Sequence, residues 1–208
     1  MGSCVIFCAG GFDAPARPLG AEDYVIAADG GLRHTQALGI VPAEILGDFD
    51  SLGYVPEGAT VYPVEKDDTD AMLAARRGLE LGLREFVFYG ALEGPRLDHT
   101  VANFQTLQFL ADRGARGFLV GRDILVTVVK NGSLTFPAGA EGNLSVFCLG
   151  PDARGVTERG LYYGLTNGVL TAGFPLGASN HFTGEQAVIS VEDGSLLVLW
   201  DRSAGFPE

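Results

Sequence analysis

The sequence predicts an α/β N-terminal domain with a mostly parallel sheet, followed by an all-β C-terminal sandwich. Three observations carry this. Up to Gly121, short apolar runs alternate with stretches of helical period, the pattern of strands joined by helical crossovers. Beyond it, strand-like runs are separated by Gly, Asn, Asp and Pro, with no helix of useful length, the texture of a small β-sandwich. Hydrophobic residues make up 47% of the chain and charged residues 19%, a composition that folds into a core. The 208 residues divide into two domains on this reading, 1–122 and 123–208.

The predicted strands of the first domain are 4–9, 24–28, 44–46, 60–63, 85–89 and 117–120. Its predicted helices are 31–38, 69–81 and 99–113. In the second helix Ala71, Ala74, Ala75 and Leu79 fall at helical spacing, and Thr69 is placed to cap its N-terminus. In the third, Val101, Phe104, Leu107, Phe109 and Leu110 form a broad apolar face. The second domain has predicted strands at 124–130, 133–136, 144–148, 168–172, 187–191 and 195–200. Lys130-Asn131-Gly132-Ser133 and Glu192-Asp193-Gly194-Ser195 read as hairpin turns.

Twenty-six acidic against 14 basic residues give a net charge of −12. Such a chain is repelled by nucleic acid and by anionic membranes. Three cysteines, Cys4, Cys8 and Cys148, do not make a disulfide framework; Cys4 and Cys8 read as buried reduced thiols on one face of a strand. No secretory signal is expected in the first residues, and no apolar run approaches the roughly 20 residues a membrane helix needs. A cytoplasmic location fits these features.

The acidic residues are not scattered. Asp29 ends the second predicted strand; Asp48 and Asp50 follow the third; Asp67, Asp68 and Asp70 follow the fourth; Asp98 follows the fifth. In an open parallel sheet all the strands' carboxyl ends lie along one edge, where ligands bind. Carboxylates crowded there repel one another unless a hard divalent cation joins them. Oxygen ligands of this kind suit Mg²⁺, which works with substrate phosphates and so points to phosphoryl chemistry. Helix capping and turn formation account for single aspartates but not for the ordered set. Arg96 offers a planar fork to phosphate oxygens or a salt bridge to nearby acids. Lys66 neutralises a phosphate or is simply exposed. Neither a Gly-x-Gly-x-x-Gly turn after the first strand nor a Walker-type Gly-Lys-Ser/Thr is present, so a nucleotide is not held in either common cradle.

Ala-Asp-Gly-Gly at 28–31, Gly-Asp-Phe-Asp-Ser at 47–51, Lys-Asp-Asp-Thr-Asp at 66–70 and Arg-Leu-Asp-His at 96–99, followed by Asn103, resemble the motifs of the bacterial thiamine pyrophosphokinase (thiamine diphosphokinase) family in order and approximate spacing. Leu165-Thr166-Asn167 and Ser179-Asn180 resemble its thiamine-side motifs. The resemblance implies a catalytic ATP- and Mg²⁺-binding domain at 1–122 and a thiamine-binding sandwich at 123–208. It also implies a homodimer with active sites shared between subunits, and transfer of pyrophosphate from ATP to the hydroxyethyl group of thiamine, releasing AMP.

Carried onto this sequence, the metal ligands are Asp48, Asp50 and Asp70. Lys66, Thr69, Arg96 and Asn103 serve the nucleotide; Thr166, Asn167, Ser179 and Asn180 serve thiamine. Asp98 is a further metal-side carboxylate or the acceptor of the alcohol proton, and Asp29 is the other candidate for that base. Pro95 stands where the family has a second glycine, Glu93 is an unexpected acid beside the polyphosphate, and Tyr162 and Tyr163 both lie near the place of an aromatic expected just before Leu165. His99 reads as structural, capping its helix, and His34 and His181 as surface residues. The alternatives are a non-catalytic nucleotide or thiamine sensor, and a Mg²⁺-dependent nucleotide hydrolase on the same scaffold.

Overall fold

A computed structural model describes residues 2–208. The chain forms two compact units, Met1–Arg122 and Asp123–Glu208. Among the described residues it is mostly strand, with few helices.

The first unit carries β1 (Cys4–Phe7), β2 (Tyr24–Ala28), β3 (Glu44–Gly47), β4 (Thr60–Val61), β5 (Glu85–Tyr89) and β6 (Arg116–Val120). They run in the order β6-β5-β1-β2-β3-β4, and every neighbouring pair is parallel. All four residues of β1 are fully buried, as expected of a central parallel strand covered on both faces. The helices are α1 (Leu32–Ala37), α2 (Asp70–Glu80) and α3 (Leu97–Ala111). α1 and α2 pack on β1 and β2, and α3 packs on β6 and α2. Burial, with a smaller push from Glu44 on Cys4 and from Asp70 on Cys8, raises both thiols to about 12, so they stay protonated and inert.

Thr69 caps α2 as predicted, its hydroxyl accepting from Met72 N–H at 3.2 Å. α3 departs from expectation in two ways. It starts at Leu97, after an extended Arg96, so His99 lies inside the first turn and does not cap it. Its buried face is Asn103, Thr106, Leu107 and Leu110, while Val101 is half exposed. The two polar members are tolerated because each donates to a backbone carbonyl, Asn103 to Ala91 at 2.7 Å and Thr106 to Ala102 at 3.1 Å. Phe109 instead lies between the guanidiniums of Arg76 and Arg113, 4.7 and 3.5 Å from its ring centre.

The second unit carries β7 (Ile124–Lys130), β8 (Ser133–Phe136), β9 (Asn143–Cys148), β10 (Ala153–Arg159), β11 (Leu165–Leu170), β12 (Gly177–His181), β13 (Ala187–Ser190) and β14 (Ser195–Asp201). They form two antiparallel arrays, β12-β9-β14-β7 and β11-β10-β13-β8. Phe136 of β8 meets Trp200 of β14 edge to face at 5.3 Å, which joins the two arrays through an aromatic core. Trp200 is 1% exposed and donates its indole N–H to the Gly205 carbonyl at 2.8 Å.

The two predicted hairpins are corners. β7 and β8 belong to different arrays, as do β13 and β14, so each Gly-containing turn carries the chain from one sheet to the other. Asn131, in a left-handed conformation at φ 46, ties the corners together. Its N–H donates to the Gly194 carbonyl at 3.1 Å, and its Oδ1 accepts from Gly194 N–H at 2.9 Å. β10 and β12 were not predicted. β10 carries Arg154, Glu158 and Arg159 with register shifts against β11, and β12 is a short edge strand of small and polar residues.

Candidate active site

The order of the parallel strands reverses at β1, whose neighbours are β2 on one side and β5 on the other. A crevice opens at such a point beyond the carboxyl ends of the strands. The first unit has a cleft of about 650 Å³ there, lined by segments following β1, β2, β3 and β5, by the approach to α2 and by the first turns of α3. The loops after β1 and β5 are stitched together by Gly10 N–H to Gly90 O at 2.9 Å and by Gly11 N–H to Glu93 O.

Asp29 opens a single 3-10 turn, Asp29–Gly31, directly after β2. It holds a left-handed φ of 47 and is 7% exposed. The turn lies so close to β1 that a Cβ on Gly31 would stand 1.8 Å from the Phe7 carbonyl oxygen; only glycine fits. After β3 the chain reverses at Phe49, which is 2% exposed and has φ 61. Its buried ring anchors the segment while Asp48 and Asp50, on either side of it, line the cleft. Asp29, Asp48 and Asp50 each offer a carboxylate oxygen within 4.8 Å of the others.

Lys66 donates to Asp48 Oδ2 at 2.5 Å and stands 3.2 Å from Asp70 Oδ1, an ion pair without hydrogen-bond alignment. Burial pushes the Asp48 carboxyl up, but the Lys66 ammonium and the Asp50 N–H outweigh it and hold it below the usual range. Asp70 goes the other way. Burial dominates, the charges of Asp48 and Asp29 add to it, and Lys66 only partly offsets the rise.

The structure thus brings Asp29, Asp48 and Asp50 together and sets Asp70 beside them through Lys66. Thr69 and Asn103 also line the cleft, the first capping α2 and the second holding the Ala91 carbonyl. Arg96 lines it from the far loop. It is exposed and paired with Asp98 at 2.6 Å, the salt bridge that was one of its two readings. Asp98 is held there, outside the cleft's lining. Glu93 lines the cleft, and its Oε1 accepts from Arg122 N–H at 2.6 Å. His34 is no surface bystander. It is half buried, with Nε2 2.8 Å from the Gly10 carbonyl and its ring against Phe12.

In the second unit, Asn180 is 3% exposed and its carboxamide is fully engaged. Oδ1 accepts from Tyr163 and His181 N–H at 2.9 and 3.0 Å; Nδ2 donates to Tyr163 O at 2.8 Å and to Glu158 Oε2 at 3.0 Å. Asn180 therefore frames its neighbours and has little left to offer a ligand. Above it, exposed His181 stacks on Tyr162 at 4.6 Å, with Tyr163 edge-on to both. Asn167 and Ser179 hold left-handed φ values of 50 and 60, strained conformations for non-glycine residues, and both are exposed, as is Thr166. Glu158 is not marked in the sequence, because the charged, irregularly paired β10 that carries it lacks a strand's alternation.

Residues 17–119 match the catalytic domain of thiamin pyrophosphokinase, and residues 133–196 match the vitamin B1 binding domain of thiamin pyrophosphokinase. The chain belongs to the thiamine pyrophosphokinase family. The thiamine pyrophosphokinase of Bacillus subtilis (strain 168) is 28% identical over 177 residues, which cover 77% of this chain and 79% of that one. Among solved structures, a Bacillus subtilis thiamine pyrophosphokinase superposes with a TM-score of 0.84 at 24% identity, over 96% of this chain and 98% of the other. The Geobacillus thermodenitrificans thiamin pyrophosphokinase gives 0.78 at 26%, over 97% of each chain. The Candida albicans thiamin pyrophosphokinase keeps the fold at only 14% identity, with a TM-score of 0.76 over 96% and 88%. The family implied by the four aspartate motifs is therefore the family found.

Proposed function

We infer that the chain catalyses the ATP-dependent synthesis of thiamine diphosphate, as its family membership implies. The observation that carries this reading is the trio Asp29, Asp48 and Asp50, with Lys66 beside it, in a cleft at the carboxyl ends of parallel strands. In the reaction the hydroxyethyl oxygen of thiamine bonds to the β-phosphorus of ATP, the bond from that phosphorus to the bridging oxygen breaks, and AMP departs with it. The alcohol proton passes to a carboxylate of the cleft.

The acid trio fits a divalent cation. It supplies hard oxygens only, and Asp29 Oδ1 is buried without a hydrogen-bond partner, a costly arrangement unless something occupies it. Mg²⁺ held by these residues would neutralise charge developing on the phosphates. Lys66 and Arg96 supply positive charge from opposite walls, Lys66 as a compact ammonium and Arg96 as a fork. Positioning and charge neutralisation carry the rate, since little covalent work falls to the protein.

The first unit is the nucleotide- and cation-binding part and the second is the thiamine-binding part. The exposed aromatic group Tyr162–His181–Tyr163 and the strained Asn167 and Ser179 support the latter, because a flat aromatic cation suits such a surface. The active assembly is a homodimer in which one copy's second unit serves the other copy's cleft. Exposed Phe174 and Leu176 in the second unit, 66% and 55% accessible, are apolar surface for a partner to cover. No helix among the described residues is long and apolar enough to cross a membrane, in keeping with a cytoplasmic place of action.

AMP release from ATP with and without thiamine tests the reading. Thiamine-dependent AMP supports it. ATP breakdown without thiamine would indicate the hydrolase, and binding without turnover the sensor.

A further inference from the structure

Ser51 has no part in the site as described so far, yet it is held on two sides. Its carbonyl accepts from Arg33 Nη2 at 2.8 Å, and its hydroxyl donates to Asp29 Oδ2 at 2.5 Å. A Cβ on Gly30 would fall 2.8 Å from that hydroxyl oxygen and 2.8 Å from Ala9 Cβ, so the hydroxyl occupies a slot that only glycine leaves open. Asp29 is itself buried and left-handed, and its second oxygen, Oδ1, is buried with no partner. One oxygen is tied and the other is orphaned, in a carboxylate that reaches within 4.8 Å of Asp48 and Asp50.

We propose that Ser51 is a positioning residue of the cation site: its hydrogen bond to Asp29 Oδ2 fixes the carboxylate and leaves Oδ1 for the divalent ion. Partners that orient a ligand from behind set its geometry and basicity, and their loss costs metal affinity. Arg33 extends the device by one step, since its bond to the Ser51 carbonyl holds the residue whose hydroxyl holds Asp29. The inference rests on the reading that the acid trio binds a divalent cation.

The test uses the full-length protein with saturating α,β-methylene-ATP, which cannot transfer its pyrophosphoryl group. Free Mn²⁺ is followed by electron paramagnetic resonance as the metal is titrated. Ser51→Ala should weaken Mn²⁺ binding by about ten-fold or more, and Ser51→Thr, which keeps the hydroxyl, should lie closer to wild type. On an Asp29→Asn background, Ser51→Ala should add little, because the two residues act as one unit. Should Ser51→Ala not fold, as judged by circular dichroism, Ser51→Cys takes its place, since a thiol is a poor donor. A Ser51 variant without the hydroxyl that binds Mn²⁺ like wild type, or one whose full effect persists with Asp29→Asn, overturns the proposal. If the wild-type protein takes up no Mn²⁺, the cation reading itself falls and this inference with it.

Discussion

Lys66 Nζ lies 2.5 Å from Asp48 Oδ2, so an ammonium already occupies one side of the acid cluster and balances part of its charge. Replacing it with methionine leaves Asp48 and Asp70 without that partner. In the absence of divalent ions, Lys66→Met should lose about 1.5–3 kcal/mol of stability, the range for hydrogen bonds to charged groups. Added Mg²⁺ should return part of it. Thermal melts in chelator and in Mg²⁺ check this; an unchanged melt in chelator would mean that the pair makes no net contribution.

Asp48→Asn and Asp50→Asn should each reduce turnover by about 10²-fold or more, the scale for removing one preorganised electrostatic contact. The fold should remain, because Phe49 between them keeps its buried ring and an asparagine at 48 still offers Lys66 an acceptor. Near-normal rates with unchanged Mg²⁺ dependence in both variants would remove them from the cation site.

Arg96 and Asp98 form an exposed pair, with side chains 66% and 64% accessible. Such pairs add little stability, so Arg96→Lys should melt like wild type. Its kcat/KM should nonetheless fall, because an ammonium cannot reproduce the guanidinium fork on phosphate oxygens. Wild-type kinetics would reduce Arg96 to its salt bridge.

Glu158 is 4% exposed, and burial raises its pKa although the Asn180 amide pulls it back. A carboxyl raised in the folded state adds stability that is complete below its unfolded value, about 4.3, and is lost as pH rises through the folded value. Glu158→Gln keeps an acceptor for Asn180 without the charge. It should therefore be more stable than wild type at pH 8, with the gap closing as pH falls towards 4. Melting curves across that range decide it; a gap independent of pH would contradict the assignment.

If the active site is shared between copies, Asp48→Asn and Ser179→Trp should be inactive separately and partly active when mixed and re-equilibrated. A mixed dimer has one site with both defects and one with neither. A fully active monomer would rule the shared site out.

The parallel strands were legible because β1, β2, β5 and β6 are apolar runs buried on both faces. The aspartates at their ends were legible because strand order alone places them on one edge. β10 and β12 were not, since one carries charges through a register shift and the other is an edge of small polar residues. Asp29 reaches within 4.8 Å of Asp48 and Asp50 from a left-handed turn, which no spacing announces. The Ser51–Asp29 bond spans 22 residues, and the Asn180–Glu158 bond another 22. Contacts of that kind depend on where the strands end in space.

The burial of Trp200 has a practical consequence. It is the chain's one tryptophan, it sits in the second unit, and the acids of the cleft all sit in the first. Its intrinsic fluorescence therefore reports the surroundings of β14 in the second unit. An emission that holds its wavelength in a denaturant that has already abolished Mn²⁺ uptake would reveal two units that unfold in separate steps; simultaneous loss would reveal one cooperative molecule.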